Sequence, residues 1–168
     1  MSNGNEDIEW IVLEKDSDKA LIISKYALDC RPYNIAQLST RWDNSSLRMW
    51  LKHNFMDGAF NDWELEKILD TYTEYDTHDK VFLLSTDEVK KYLSPDDRKC
   101  NPTEYAKKRG AGNNVACNWW LRTIGKYRTL ATIVYHNGDI DYYGKEVSND
   151  FGKGDICVRP AMWINLGS

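Results

Sequence analysis

The chain has 168 residues, a length that fits one domain and can bury a sizeable hydrophobic core. Its formal net charge of −4 argues against long-range attraction to nucleic acid or to anionic lipid. No stretch approaches the ~20 consecutive apolar residues of a membrane span. We therefore expect a soluble protein with no nucleic-acid partner and no membrane insertion.

The N-terminal segment, residues 1–7, is polar and acidic, and it lacks the basic and apolar regions of a secretory signal. It predicts a disordered tail in front of a single domain that covers residues 8–168. A chain without a signal peptide is expected in the cytoplasm, or on a surface or phage particle if it is part of a larger assembly.

The first third of the chain predicts a β-hairpin and two helices. Two short apolar runs, residues 9–13 and 20–24, flank a polar turn, as the strands of a hairpin do. A helix follows, and a second short one is predicted to begin at Asn61 or Asp62. The first helix has its apolar residues at helical spacing and a serine N-cap: Leu47, Trp50, Leu51 and Phe55, with Ser45 or Ser46.

The middle of the chain predicts a strand and then two helices. Residues 81–85 are typical of a buried strand, and Ser85 can cap the helix that follows it. A short helix over residues 103–108 is expected to end at Gly110 and Gly112.

The last third predicts an antiparallel sheet. Asn137-Gly138 lies between two strand-like runs and predicts a two-residue type I′ turn, in which both residues have positive φ. The predicted strands cover residues 119–122, 130–135, 140–143 and 157–164. The expected core contains four tryptophans and nine aliphatic residues: Trp10, Trp50, Trp120, Trp163, Leu13, Ile23, Leu47, Leu51, Val81, Leu83, Leu121, Ile133 and Val158.

Adjacent residues on a strand point to opposite faces, so Trp119 and Trp120 should pack in different layers. We expect one indole in the main core and the other under a second layer or a loop, in preference to a role in stacking on a ligand. Arg122 and Arg159, near these aromatic residues, are expected to fix loops by hydrogen bonds rather than to bind substrate.

No catalytic or metal-binding pattern is present in the sequence. Its four cysteines are scattered, without the close ligand pairs that are typical of zinc sites: Cys30, Cys100, Cys117 and Cys157. Buried free thiols are favoured over disulfides, and both over a metal or catalytic role. The histidines, His53, His78 and His136, are far apart in the sequence. We expect no catalytic residues, no bound metal and no cofactor. Elemental analysis of the purified protein tests the expectation that no metal is bound.

Motifs along nearly the whole chain resemble an uncharacterised family of bacterial and phage-associated domains with a C-type-lectin-like fold. The most specific ones are Trp119-Trp120-Leu121-Arg122 and the ending Val158-Arg159-Pro160-Ala161-Met162-Trp163-Ile164. Further matching segments are residues 8–13, 27–29, 32–34, 46–51, 81–85 and 102–106. The resemblance implies an α+β fold with short helices around a small antiparallel sheet, and first and last strands that lie near each other. Such domains are similar to the variable ligand-binding proteins of diversity-generating retroelements and, more distantly, to formylglycine-generating enzymes.

The sequence departs from this pattern in three places. Thr123-Ile124-Gly125 stands where the family usually has Ser-Pro-Gly. The Glu-Pro-Asn motif of calcium-dependent lectins is absent, which argues against calcium-dependent sugar binding. The paired catalytic cysteines of formylglycine-generating enzymes cannot be placed on Cys117 and Cys157, and likeness of fold alone does not transmit activity.

The favoured hypothesis is a ligand-binding or display domain with a protein or glycan ligand. Its site is expected on the C-terminal hairpin and the adjoining loops, because loops on a rigid scaffold commonly carry function. Strand alternation assigns Ile140 and Tyr142 to the core, and it assigns Asp141, Tyr143 and Lys145 to solvent. The predicted site residues are Tyr127, Arg128, Asp139, Asp141, Tyr143, Lys145, Asn149 and Asp150. Two alternatives remain: a cysteine-dependent oxidase of the formylglycine-generating type, and a structural or assembly module of a bacterial or phage protein.

Overall fold

A computed structural model describes residues 7–111, 115–148 and 156–167 of the chain. This part is α+β, with short helices and mainly antiparallel sheets. The strands are β1 Trp10–Lys15, β2 Lys19–Ser24, β3 Asp29–Cys30, β4 Thr71–Tyr72, β5 His78–Asp79, β6 Asn118–Ile124, β7 Leu130–Val134, β8 Ile140–Glu146, β9 Ile156–Val158 and β10 Ala161–Asn165. The α-helices are α1 Ser46–Trp50, α2 Met56–Ala59, α3 Asp62–Lys67, α4 Thr86–Tyr92 and α5 Glu104–Ala106. None of the helices in these ranges is long and apolar enough to cross a membrane.

The predicted N-terminal hairpin is confirmed, because β1 and β2 pair antiparallel. On its other side β2 pairs antiparallel with β10, which gives a three-stranded sheet in the order β1-β2-β10. Five of the six residues of β2 are buried, as expected for the central strand of a sheet covered on both faces. Strands near the two ends of the sequence therefore lie side by side.

A second sheet has the order β3-β9-β6-β7-β8. Its pairings are antiparallel except between β6 and β9, which run parallel. Among the described strands β8 is at the edge of this sheet, so none of them pairs with its outer side. A third, two-stranded sheet joins β4 to β5.

The prediction of one final strand over residues 157–164 is wrong. The strand is divided at Arg159 and Pro160 into β9 and β10, which belong to different sheets. Proline has no backbone N–H to give to a ladder, so a break at this position is physically expected. The Pro160 carbonyl accepts a hydrogen bond from the Ser24 amide at 3.0 Å, so the connection between β9 and β10 is bound to the end of β2.

The predicted helix caps are confirmed. Ser45, Asn61 and Ser85 cap α1, α3 and α4, and the last two form capping boxes with the glutamates three residues later. A π-helical turn, Leu51–Phe55, joins α1 to α2. The cap of α5 is Thr103, and the π-helical turn after it contains Gly110 at φ 125°. Gly112, the second predicted terminator, lies outside the described residues.

Residues 81–85 are buried but do not form the strand that their composition predicts. Within this segment only Phe82 makes a bridge, to Ala161 at the start of β10. A short apolar run does not distinguish a strand from another kind of buried segment. Here the apolar side chains are buried in a segment that does not pair along its length with a neighbouring strand.

The buried side chains form one hydrophobic cluster that includes most of the predicted core. Trp10, Leu13, Trp50 and Trp163 are only partly buried at its edge. Trp119 and Trp120 are both fully buried, and their indole N–H groups donate to the carbonyls of Arg98 and Arg31. Arg122 donates a hydrogen bond to the Leu83 carbonyl, in the irregular segment before α4, and Arg159 donates one to the Ser24 carbonyl at the end of β2.

Candidate functional site

The edge strand β8 contains a bulge that brings two tyrosines to the surface. Asp141 pairs with Ile133 and Lys145 pairs with Ala131, so three residues of β8 lie opposite the single residue Thr132 of β7. Such a bulge breaks the alternation of strand faces. Tyr142 is 54% exposed and Tyr143 is 56% exposed. The assignment of Tyr142 to the core is therefore wrong, and the exposure of Tyr143 is as predicted.

The turn between β6 and β7 packs closely against this bulge. The Lys126 amide donates a hydrogen bond to the Tyr143 carbonyl at 2.9 Å, and the Gly125 amide donates to the Leu130 carbonyl at 2.7 Å. A Cβ on Gly125 would lie 2.1 Å from the Tyr143 carbonyl oxygen, so a glycine is required there. Gly144 has φ of +96°, in the left-handed region that favours glycine. The turn and the bulge therefore hold each other in place.

Tyr127 in this turn meets Tyr143 of the bulge edge to face, with ring centroids 6.2 Å apart. The Lys126 Nζ lies 5.6 Å from the centroids of both rings, within the range of a cation–π interaction. The Lys90 Nζ, on α4, lies 6.0 Å from the ring centroid of Tyr142. We call the cluster of Lys126, Tyr127 and Tyr143 the tyrosine surface; Tyr142 and Lys90 form a second exposed contact beside the same bulge.

Asp141, which strand alternation assigns to solvent, is mostly buried, and its carboxylate is bound within the bulge. Its carboxylate accepts hydrogen bonds from the Tyr135 hydroxyl at 2.6 Å and from the Gly144 amide at 3.0 Å. The Lys145 Nζ is 3.7 Å from the same carboxylate. Partial burial acts to raise the pKa of Asp141, but the Tyr135 and Gly144 hydrogen bonds and the Lys145 charge outweigh it and lower that pKa. Asp141 thus links the bulge of β8 to the Tyr135 side chain on β7, and Lys145 lies beside its carboxylate.

The structure separates the other predicted site residues. Arg128 is exposed in the same turn as Tyr127, and its backbone carbonyl accepts a hydrogen bond from the Thr40 amide. Asp139 lies at the opposite end of the β7–β8 hairpin and hydrogen bonds within its own turn to Asn137. Asn149 and Asp150 lie outside the described residues.

The turn of this hairpin differs from the predicted type I′ turn. Gly138 has φ of +93°, whereas Asn137 is not among the described non-glycine residues with positive φ. The Gly138 amide donates to the Tyr135 carbonyl, and the Tyr135 amide donates to the Asp139 carbonyl. This is the pattern of a three-residue loop that ends in a left-handed glycine.

Sequence reasoning missed Lys126 of the tyrosine surface and the neighbouring contact between Lys90 and Tyr142. Lys90 belongs to a helix far away in sequence, and nothing in the local pattern connects it to the hairpin. Gly144 could have indicated the exposure of Tyr142, since a glycine inside a strand often marks a bulge.

A cleft of about 230 Å³ brings together two of the histidines, His53 and His78, beside Asp70 and Asp79. The Asp79 carboxylate is already engaged by Trp42, Thr73 and Arg48, at distances of 2.7–2.8 Å. Within the described ranges, no group of three or more His, Cys, Asp or Glu side chains could hold a metal ion. The cleft therefore offers no complete metal site from the described side chains.

Comparison with known proteins gives one match. No curated protein and no solved structure matches the chain. Residues 17–166 match a family described as a domain of unknown function, DUF6273. Because this match covers nearly the whole sequence, the chain belongs to the DUF6273 family.

Proposed function

We propose that this domain binds a protein or glycan ligand through the tyrosine surface. The observation that carries the proposal is the exposed edge-to-face pair of Tyr127 and Tyr143 with Lys126 near both rings. Tyrosines on a rigid support give large contact area at a low cost in conformational entropy, which is why binding sites are rich in them. Here the support is the bulge of β8 and the glycine contact beneath the turn.

The charges of this surface favour a ligand with acidic groups. Lys126 is a member of it, Arg128 is exposed in the same turn, and Lys90 lies near Tyr142 beside the bulge. This local positive charge contrasts with the formal net charge of −4 for the chain. A carboxylate of a protein side chain or of an acidic sugar would complement it, and the affinity should then fall as salt is added.

We further propose a C-type-lectin-like scaffold related to the variable proteins of diversity-generating retroelements. The pairing of β2 with β10, which joins the two ends of the chain, supports this proposal, as do the short helices around small sheets. In such a scaffold the hairpin and its neighbouring loops carry the ligand. A cysteine-dependent oxidase and an assembly module stay as predicted alternatives.

The test is an array of glycans and a library of extracellular protein domains, probed with the labelled chain. The same arrays are probed with a double variant, Tyr127→Ala with Tyr143→Ala, and with Tyr72→Ala. Tyr72 is a matched control because it is 59% exposed on another sheet. We expect acidic ligands that bind the wild type and Tyr72→Ala but lose most binding to the double variant. Ligands that bind all three proteins equally would contradict the proposal.

A further inference from the structure

Two of the buried cysteines lie directly opposite each other in the second sheet. Cys30 of β3 pairs with Cys157 of β9 in an antiparallel ladder, and their Sγ atoms are 2.6 Å apart. Neither residue is more than 2% exposed. All four cysteines of the chain are free thiols in this structure. The pair is therefore a buried dithiol, formed by two strands whose cysteines are 127 residues apart in the sequence.

The backbone around this pair suits a disulfide. Directly opposed residues of antiparallel strands have Cα atoms roughly 4.5–5.5 Å apart, and disulfides join Cα atoms that are about 4.4–6.8 Å apart. The two side chains point towards each other, since their sulfur atoms are in contact. A bond of about 2.05 Å therefore requires only a small further approach of the sulfur atoms and no change in the register of the strands.

The other two cysteines are also opposed, but backbone carbonyls accept hydrogen bonds from both of their thiols. Cys100 and Cys117 form an isolated antiparallel bridge and are 17 residues apart in the sequence. The Cys117 thiol donates to the Cys100 carbonyl at 3.3 Å, and the Cys100 thiol donates to the Lys25 carbonyl at 3.6 Å. A sulfur in a disulfide has no proton to donate, so these contacts favour the thiol state. Cys30 has one such contact, to the Ala106 carbonyl at 3.6 Å, in addition to its direct contact with the second sulfur of its own pair.

We propose that Cys30 and Cys157 are a redox site whose disulfide stabilises the fold, while Cys100 and Cys117 stay as thiols. The oxidant is a low-molecular-weight disulfide. One cysteine sulfur of the pair, after it loses its proton, attacks a sulfur of the oxidant, the S–S bond of the oxidant breaks, and one small thiol leaves with that proton. The other cysteine sulfur then attacks the first one, the mixed disulfide breaks, and a second small thiol leaves with the remaining proton. The two protein thiols have supplied the two electrons that reduce the oxidant.

The position of β3 gives the oxidant access and gives the bond its effect. Among the described strands β3 is at an edge of its sheet, and it is only two residues long. Local separation of so short an edge strand from β9 exposes both sulfur atoms without unfolding the whole core. Once formed, the bond closes a loop from residue 30 to residue 157. A crosslink over so long a loop restricts the unfolded chain, so oxidation should stabilise the domain.

The experiment refolds the reduced, full chain in a buffer of reduced and oxidised glutathione, blocks the remaining thiols in denaturant, and maps disulfides by peptide mass spectrometry. We expect one dominant bond, Cys30–Cys157, with Cys100 and Cys117 blocked as thiols. The matched control is the same chain in the same buffer with enough urea to keep it unfolded. There the separations of 17 and 127 residues should favour Cys100–Cys117 roughly 20-fold, because loop closure becomes less probable with about the 3/2 power of loop length. A map of the folded chain that is dominated by any bond of Cys117, or by four thiols, would overturn the proposal.

Thermal unfolding measures the effect of the bond on stability. The oxidised wild type should melt roughly 5–15 °C above the same protein reduced with dithiothreitol. Cys100→Ser should keep this difference between the oxidised and reduced forms, whereas Cys30→Ser should lose it. Each variant is compared with itself in the two redox states, so a change in its baseline stability does not affect the result. Equal melting temperatures for the oxidised and reduced wild type, or equal differences in the two variants, would also overturn the proposal.

Discussion

The backbone amide of Lys126 donates a hydrogen bond to the Tyr143 carbonyl at 2.9 Å, so the β6–β7 turn and the β8 bulge form one unit. The same turn carries Tyr127, whose ring packs against that of Tyr143. A ligand on the tyrosine surface would therefore meet side chains whose backbone is already fixed, and such preorganisation lowers the entropic cost of binding.

Single substitutions on the tyrosine surface and in its turn should weaken binding without unfolding the protein. We expect Tyr143→Ala and Arg128→Ala each to weaken the binding of an identified ligand by at least ~1 kcal/mol. Both side chains are exposed, so the melting temperature should stay nearly unchanged. Isothermal calorimetry and thermal unfolding measure the two quantities. Normal binding by both variants would place the site elsewhere.

Substitutions of the glycines beneath the same surface should reduce both the stability of the protein and its binding of the ligand. Gly125→Ala places a Cβ 2.1 Å from the Tyr143 carbonyl oxygen, and Gly144→Ala forces an alanine to adopt φ of +96°. We expect each to cost about 1–3 kcal/mol in the free energy of unfolding. Gly167→Ala is the control, because its Cβ would meet only the Asn165 side chain, at 3.1 Å. Equal unfolding midpoints for Gly125→Ala and Gly167→Ala in urea would show that the turn can move away from the bulge.

The burial of the WWLR segment gives a test of the core. Trp120 is fully buried, packs 5.7 Å from the ring of Tyr33 and donates to the Arg31 carbonyl. Trp120→Ala should destabilise the protein by about 3–5 kcal/mol. Trp63 is 67% exposed, and Trp63→Ala should change the free energy of unfolding by less than about 0.5 kcal/mol. Denaturant unfolding that finds similar losses for both tryptophans would contradict this core.

Local patterns predicted the helix starts and the hairpins, because caps and turns are read within a few residues of the chain. Ser45, Asn61 and Ser85 are examples. Patterns failed where a distant partner decides the structure. The exposure of Tyr142 depends on the register of β8 against β7, and the separation of β9 from β10 depends on which strands each one meets. The sequence predicted the burial of the cysteines, but not the contact between Cys30 and Cys157, because β3 and β9 are far apart along the chain.

The support of the bulge by Asp141 should make stability depend on pH in acid. The folded state lowers the pKa of Asp141, so this carboxylate binds its proton less readily there than in the unfolded chain, where the pKa is about 3.9. Its contribution to stability is complete above the unfolded pKa and is lost as pH falls through the folded pKa. Asp141→Asn removes that contribution. The wild type should therefore be more stable than this variant at pH 7, and the difference should shrink below about pH 4.

The control for this prediction is Asp139→Asn. Asp139 is an exposed carboxylate of the same hairpin, and its hydrogen bonds are to Asn137. We expect this variant to differ from the wild type by less than about 0.5 kcal/mol in the free energy of unfolding. Urea unfolding at a series of pH values between roughly 3 and 7 measures all three proteins. If the gap between the wild type and Asp141→Asn stayed constant across the series, the loss would reflect side-chain packing rather than the charge on Asp141.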